Sequence, residues 1–233
     1  MKYYIDSGNL ADIKRISSFF PLSGLTTNPD ILSREKRHPM ELYRQIHKEV
    51  PQIGEFHMQV VSVEAEDIVC EARHMRSALT GKDGIAPDMF FVKVPVNKAG
   101  VAAMMRLKKE GIAFTATGIF TAQQGILAGD LGASYAAPYI TPITTGGFDG
   151  MDVVHEIKQL YQRYGCSTKI LAAGFSVESQ VAKAGLAGAD IVTMPAAIIE
   201  KLLFVPQTEV YTNRFIDLFQ EYAGRGKTLL DFD

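Results

Sequence analysis

The amino-acid sequence predicts an α/β protein, a (β/α)8 TIM barrel followed by an extra C-terminal helix. Strand-like apolar runs alternate with helical periodicities from one end of the chain to the other. Eight such β-then-α units fit into about 205 residues, which describes a closed parallel barrel more economically than an open doubly wound sheet. Neither GxGxxG nor GxxxxGKS/T follows the first strand, so the main cue for an open nucleotide-binding sheet is missing.

Each element has its own signal. Lys2–Ile5 reads as a short first strand. A helix from Asn9 to Phe20 places Leu10, Ile13, Ile16 and Phe20 on one face, and Pro21 ends it. Gly24–Thr26 is the second strand, followed by a helix at Pro39–Glu49. Glu55–Val60 is the third, and Glu64–Leu79 spaces Ala65, Ile68, Ala72, Met75 and Leu79 as a helix does. The fourth strand is Phe90–Val96, with a helix from Lys98 to Glu110 closed by Gly111. Ala113–Thr117 is fifth, with a helix over Ala122–Leu131. Tyr135–Ile140 is sixth, with a helix over Gly150–Tyr164. Lys169–Ala173 is seventh, with Ser176 expected to cap a helix running to Ala187. Asp190–Met194 is eighth, and Ala196–Phe204 completes the cycle. Residues 1–205 thus form the barrel. Residues 206–233 form an arm whose helix, over Thr208–Tyr222, sits at a subunit interface or else across the bottom of its own barrel.

Composition excludes several classes. The 233 residues are 47% hydrophobic and 21% charged, ordinary for a globular chain. A net charge of −2 offers no basic footprint for nucleic acid. No apolar run of membrane-spanning length occurs, and Asp6 interrupts the N-terminus before a signal segment can form. Cys70 and Cys166 lie far apart and read as reduced thiols, so a cytoplasmic location is expected.

The chemistry centres on Lys93, inside the apolar run Phe90-Phe91-Val92-Lys93-Val94-Pro95-Val96. A lysine depressed by three pKa units carries about 4 kcal/mol of differential desolvation and presents a neutral amine near neutral pH. Such an amine attacks carbonyls to form Schiff bases. The alternative is a strand-end lysine whose head reaches water or a phosphate. Active sites of such barrels lie at the C-terminal strand ends. There the sequence places Asp6, Asn28, Gln59, Lys93, Thr117 and Tyr139, with Gly174 and Ser176 after strand seven. Singly, Asp6 and Asn28 are equally well turn or capping residues.

These residues carry a resemblance. Asp6 in Tyr3-Tyr4-Ile5-Asp6-Ser7, then Gly24-Leu25-Thr26-Thr27-Asn28-Pro29, Gln59-Val60, Val92-Lys93-Val94-Pro95, Thr117 and Ala137-Pro138-Tyr139 resemble the transaldolase group of class I aldolases, in its fructose-6-phosphate aldolase branch. The resemblance implies that Lys93 forms the Schiff base, without a metal or other cofactor. It implies that Asp6 and Asn28, with Thr26 of the same motif, hold donor hydroxyls and assist proton movement. Gln59, Thr117 and Tyr139 position a catalytic water. Gln59 and Tyr139 match the aldolase branch, where transaldolases carry glutamate and phenylalanine. A transaldolase, and a non-catalytic sugar-binding barrel, are the competing readings. The implied partners are a small sugar or sugar phosphate and further copies of the chain, as a decamer of two pentamers.

The chain also departs from the family. Pro142 stands where an arginine is expected, and Gly174 where a serine is expected, so the phosphate end has lost its cation. The turn Gly174-Phe175-Ser176 keeps backbone N–H groups for an anion, and Thr144-Thr145-Gly146-Gly147 offers hydroxyls. His57 and Thr115 replace apolar residues two positions before site residues. They are expected either as substrate contacts or as a core pair one layer down.

Overall fold

The computed structural model describes residues 1–232; Asp233, the last residue of the predicted arm, lies outside them. Eight parallel strands close into a barrel in sequence order. They are β1 Lys2–Asp6, β2 Leu22–Thr26, β3 Glu55–Gln59, β4 Phe90–Pro95, β5 Phe114–Ile119, β6 Tyr135–Pro138, β7 Lys169–Ala172 and β8 Ile191–Met194. Helices α1 Leu10–Ser17, α2 Pro29–Glu35, α3 Pro39–Glu49, α4 Ala65–Leu79, α5 Lys98–Lys109, α6 Ala122–Asp130, α7 Ile140–Thr145, α8 Gly150–Tyr164, α9 Ser179–Ala187 and α10 Ala196–Leu203 follow the strands. The chain divides into two compact units, Met1–Ile199 and Glu200–Asp233. The second unit carries α11 Pro206–Ala223 and a 3-10 turn at Leu229–Asp231, where Phe232 stacks on Tyr222.

Several sequence expectations need correction. The first helix ends at Ser17, three residues short of Phe20, although Phe20 remains buried. Two short helices, α2 and α7, occupy segments without a predicted element. Pro29 starts α2 at a position where the missing N–H costs nothing, and Asn28 caps it by accepting from Ile31 N at 2.9 Å. Strand six stops at Pro138 because Tyr139 already begins α7. Ser176 is not a cap. The helix starts at Ser179, and the N-cap position, Glu178, makes no side-chain capping bond.

Period-two alternation fills the lower barrel with Tyr4, Phe91, Tyr135, Leu171 and Ile191. Among them sits a buried carboxylate, Glu55, which accepts from the Tyr4 and Tyr135 hydroxyls and from Lys2 Nζ at 3.2 Å. Burial alone would raise its pKa. Hydrogen bonds from Tyr135, Tyr4 and Lys2 outweigh burial and leave it lowered. Lys169 adds its ammonium 5.6 Å from the Tyr135 ring centre.

Tyr4 lies across the backbone of β2, where only Gly24 leaves room: a Cβ there would come 2.7 Å from the ring. Gly24→Ala is therefore expected to destabilise the protein by about 1–3 kcal/mol through overpacking. A urea midpoint equal to that of the wild type would show that the ring moves aside freely.

Candidate active site

Register assembles the upper barrel. Asp6 pairs with Thr26, Gln59 with Lys93, and Lys93 in turn with Thr115. Lys93 is 4% exposed, and its Nζ donates to the Thr27 carbonyl oxygen at 2.7 Å. Burial lowers its pKa, the Asp6 charge opposes the shift, and burial prevails. Half-buried Asp6 moves the other way. Burial raises its carboxyl, and Lys93 and the Thr26 hydroxyl recover only part of the shift. The amine is pushed down and the acid up while each feels the other's charge, which suits them to exchange protons.

The surroundings fix both groups. Thr26 Oγ1 donates to Asp6 Oδ1 at 2.6 Å and lies 2.7 Å from Thr193 Oγ1, so the Thr193 hydroxyl supplies the proton of the second bond. Thr27 N–H donates to the His57 carbonyl at 3.1 Å, and the Thr27 hydroxyl lies 2.7 Å from the Tyr43 phenol. That phenol donates to the same His57 carbonyl at 2.8 Å, which leaves Thr27 as the donor to Tyr43. A helix outside the barrel thus locks the carbonyl that holds Lys93.

Tyr139 OH lies 2.9 Å from Thr117 Oγ1. Burial raises its pKa, the Thr117 bond partly offsets that, and the Asp6 charge adds to the rise. The phenol is therefore kept as a proton donor. Gln59, in register with Lys93, has its Oε1 buried without a hydrogen-bond partner among the described residues. Asn28 spends its Oδ1 on capping α2, so its NH2 is what remains to offer a ligand. A cavity of about 420 Å³ opens beside Asp6 and Asn28.

Other predicted residues sit differently. His57 and Thr115 are fully enclosed and bonded to each other, Nδ1 to Oγ1 at 2.8 Å. The imidazole stacks on Phe91 at 4.8 Å, and burial, then Lys93, hold it neutral with a pKa well below the ordinary histidine value. This is a core pair beneath the site. At the phosphate end, the Thr144 and Thr145 hydroxyls bond back to the Ile140 and Pro142 carbonyls within α7. They are not turned to a ligand. The Ser176 N–H donates to Gln180 Oε1 at 3.0 Å, so the expected anion cradle is already filled.

Thr27, Tyr43, Thr193 and Gln180 are the positions that sequence reasoning misses. Alternation along β8 would place Thr193 inward, and Thr27 lies inside the Thr26–Pro29 motif. Tyr43 and Gln180 sit on helices and reach the site through backbone groups, which leaves no pattern to read.

Comparison with known proteins follows this geometry. The sequence matches the family described as Transaldolase/Fructose-6-phosphate aldolase over residues 3–226. Similar solved structures include a flavocytochrome b2 variant with sulfite bound, at 12% identity and TM-score 0.61, covering 85% of this chain and 58% of that one. The recombinant flavin-binding domain of baker's yeast flavocytochrome b2 is another, at 12% identity and TM-score 0.58, with 85% and 58% covered. The chain spans little more than half of their length, and at this identity the likeness shows the barrel alone.

The Lys93 shift has a measurable consequence. In the fold the amine gives up its proton below the ordinary lysine value of 10.5, whereas in the unfolded chain it does not. Over that window unfolding takes up a proton, so stability rises with pH. The stability of the wild type relative to Lys93→Met is expected to grow as pH rises toward the ordinary lysine value of 10.5, read as urea midpoints. A gap that narrows instead would mean that the fold favours the ammonium.

Proposed function

We propose, of a chain that belongs to the transaldolase/fructose-6-phosphate aldolase family, that it is a lysine-dependent aldolase that makes and breaks a carbon–carbon bond with a dihydroxyacetone-type donor. The observation that carries this reading is the enclosed Lys93 amine, donating to the Thr27 carbonyl, its pKa lowered by burial and within reach of the Asp6 charge.

In cleavage, the neutral amine attacks the ketone carbon of a ketose and forms a carbinolamine. Loss of water gives an iminium, which draws the electron pair of the breaking bond as an enamine forms. The hydroxyl on the departing carbon gives up its proton and becomes the aldehyde carbonyl. Protonation of the enamine carbon and hydrolysis then release the ketone and restore the amine. Asp6 is suited to move protons at the amine, since the two groups shift each other's titration. Tyr139, kept protonated and hydrogen-bonded to Thr117, serves as the acid. Gln59 Oε1 and this phenol share a water used in dehydration and hydrolysis, the Oε1 being an acceptor with no donor among the described residues. The Asn28 NH2 orients donor hydroxyls, while Thr26 holds the Asp6 carboxyl in place. A neutral amide at Gln59 with a phenol at Tyr139 favours release of the ketone over its transfer to a second aldehyde.

Borohydride with a ketone donor should add the mass of the reduced imine to the wild type and nothing to Lys93→Ala. Tyr139→Phe should lower ketose cleavage roughly a hundred- to ten-thousandfold, the range for losing a general acid. Unchanged cleavage in Tyr139→Phe would assign the proton step elsewhere, and trapping in Lys93→Ala would remove the mechanism. Transfer to erythrose 4-phosphate without free ketone would mark a transaldolase.

The C-terminal unit belongs to the same reading as an arm at a subunit interface in a homodecamer. Taken by itself, it exposes Phe215, Tyr222, Leu229 and Leu230, more apolar surface than a segment left in water usually carries. Light scattering should give a mass near ten chains; a monomer would overturn it.

A further inference from the structure

We propose that Gln180 is a built-in occupant of the anion cradle after strand seven, and that the acceptor aldehyde is therefore uncharged. The inference rests on the aldolase reading, since it names the acceptor for that site. The Gln180 side-chain oxygen accepts from Ser176 N at 3.0 Å, Val177 N at 3.3 Å and Thr141 Oγ1 at 3.2 Å, with Ser176 Oγ at 3.5 Å. Two backbone N–H groups and a hydroxyl converging at the head of a helix are the donors that a phosphate oxygen would use. Here they already converge on an oxygen of the same chain. An incoming phosphate would have to break these bonds first, and the intramolecular oxygen is always at hand.

The neighbouring residues agree. Gly174 adopts φ +71, and a Cβ there would lie 3.3 Å from Pro142 Cδ, so a side chain at 174 would be strained and would press on the proline ring. Neither Tyr139–Gly150 nor Ala173–Gln180 contains a lysine or arginine, and their only charged residues are Asp149 and Glu178. A phosphate dianion brought here would meet negative charge and an occupied cradle. Among the exposed side chains on the strand-to-helix connections nearby are two apolar ones, Phe120, packed edge-on to Tyr139 at 5.9 Å, and Val177. The acceptor this favours is a neutral aldehyde with its carbonyl at Tyr139 and its body against Phe120.

The test compares kcat/KM for addition of dihydroxyacetone to glyceraldehyde and to glyceraldehyde 3-phosphate, using the full chain. The wild type should favour the neutral aldehyde by at least about tenfold, the worth of one charge-assisted hydrogen bond denied to the phosphate. Gln180→Ala empties the cradle. It should raise the phosphorylated-to-neutral ratio roughly tenfold and make inorganic phosphate a competitive inhibitor. Gln180→Glu keeps an oxygen for the same N–H groups, guards against a folding defect, and should lower the ratio further. A wild type that prefers the phosphate ester, or a ratio indifferent to both substitutions, overturns the inference while borohydride trapping at Lys93 leaves the aldolase intact. Failure of trapping would instead remove the aldolase reading itself.

Discussion

The upper barrel depends on one unfavourable act, the desolvation of the Lys93 amine. An ammonium moved from water into a protein wall loses several kcal/mol of hydration, and one carbonyl at 2.7 Å and one half-buried carboxylate do not restore it. The fold therefore holds the amine below its ordinary pKa rather than pairing it fully. What surrounds it serves to keep that compromise in place. Tyr43, Thr27 and the His57 carbonyl fix the one acceptor, and Thr26 and Thr193 fix the acid. Stability withheld from this group is reactivity made available to it.

The lower barrel solves the opposite problem. Glu55 is also buried, but two phenols and Lys2 satisfy it, so it remains charged with a lowered pKa. Between the two storeys lies His57, stacked on Phe91 and edge-on to Tyr135 at 4.9 Å. It is hydrogen-bonded to Thr115 and kept neutral. A neutral layer between a satisfied carboxylate and an unsatisfied amine keeps the two charges from meeting, which would raise the amine pKa again.

Much of this was legible in the sequence, for physical reasons. The β4 run announces itself by continuous apolar character, and alternation then brings Asp6, Gln59 and Thr117 to the same rim as Lys93. Helices with strong stop signals, such as α8 before Gly165, come out with correct ends. The short helices α2 and α7 do not, because fewer than eight residues give no usable period and both begin with strand-like or turn-like residues. Ser176 misleads because a serine before a helical period looks like a cap, whereas the helix starts only at Ser179 and a glutamine four residues on takes the N–H of Ser176 itself. Propensity sees the serine and cannot see the return of that side chain.

That return also bears on the changes at Pro142 and Gly174. A serine at 174 would be strained at φ +71 and would press its Cβ on the Pro142 ring at 3.3 Å. An arginine at 142 would bring a cation to a cradle whose donors already hold the Gln180 oxygen, leaving a phosphate the charge without the N–H groups. Removing the glutamine alone frees the N–H groups without supplying a cation. No single reversal rebuilds a full phosphate site. The three residues form one packed solution, in which an internal amide satisfies the donors that the anion would otherwise have to satisfy.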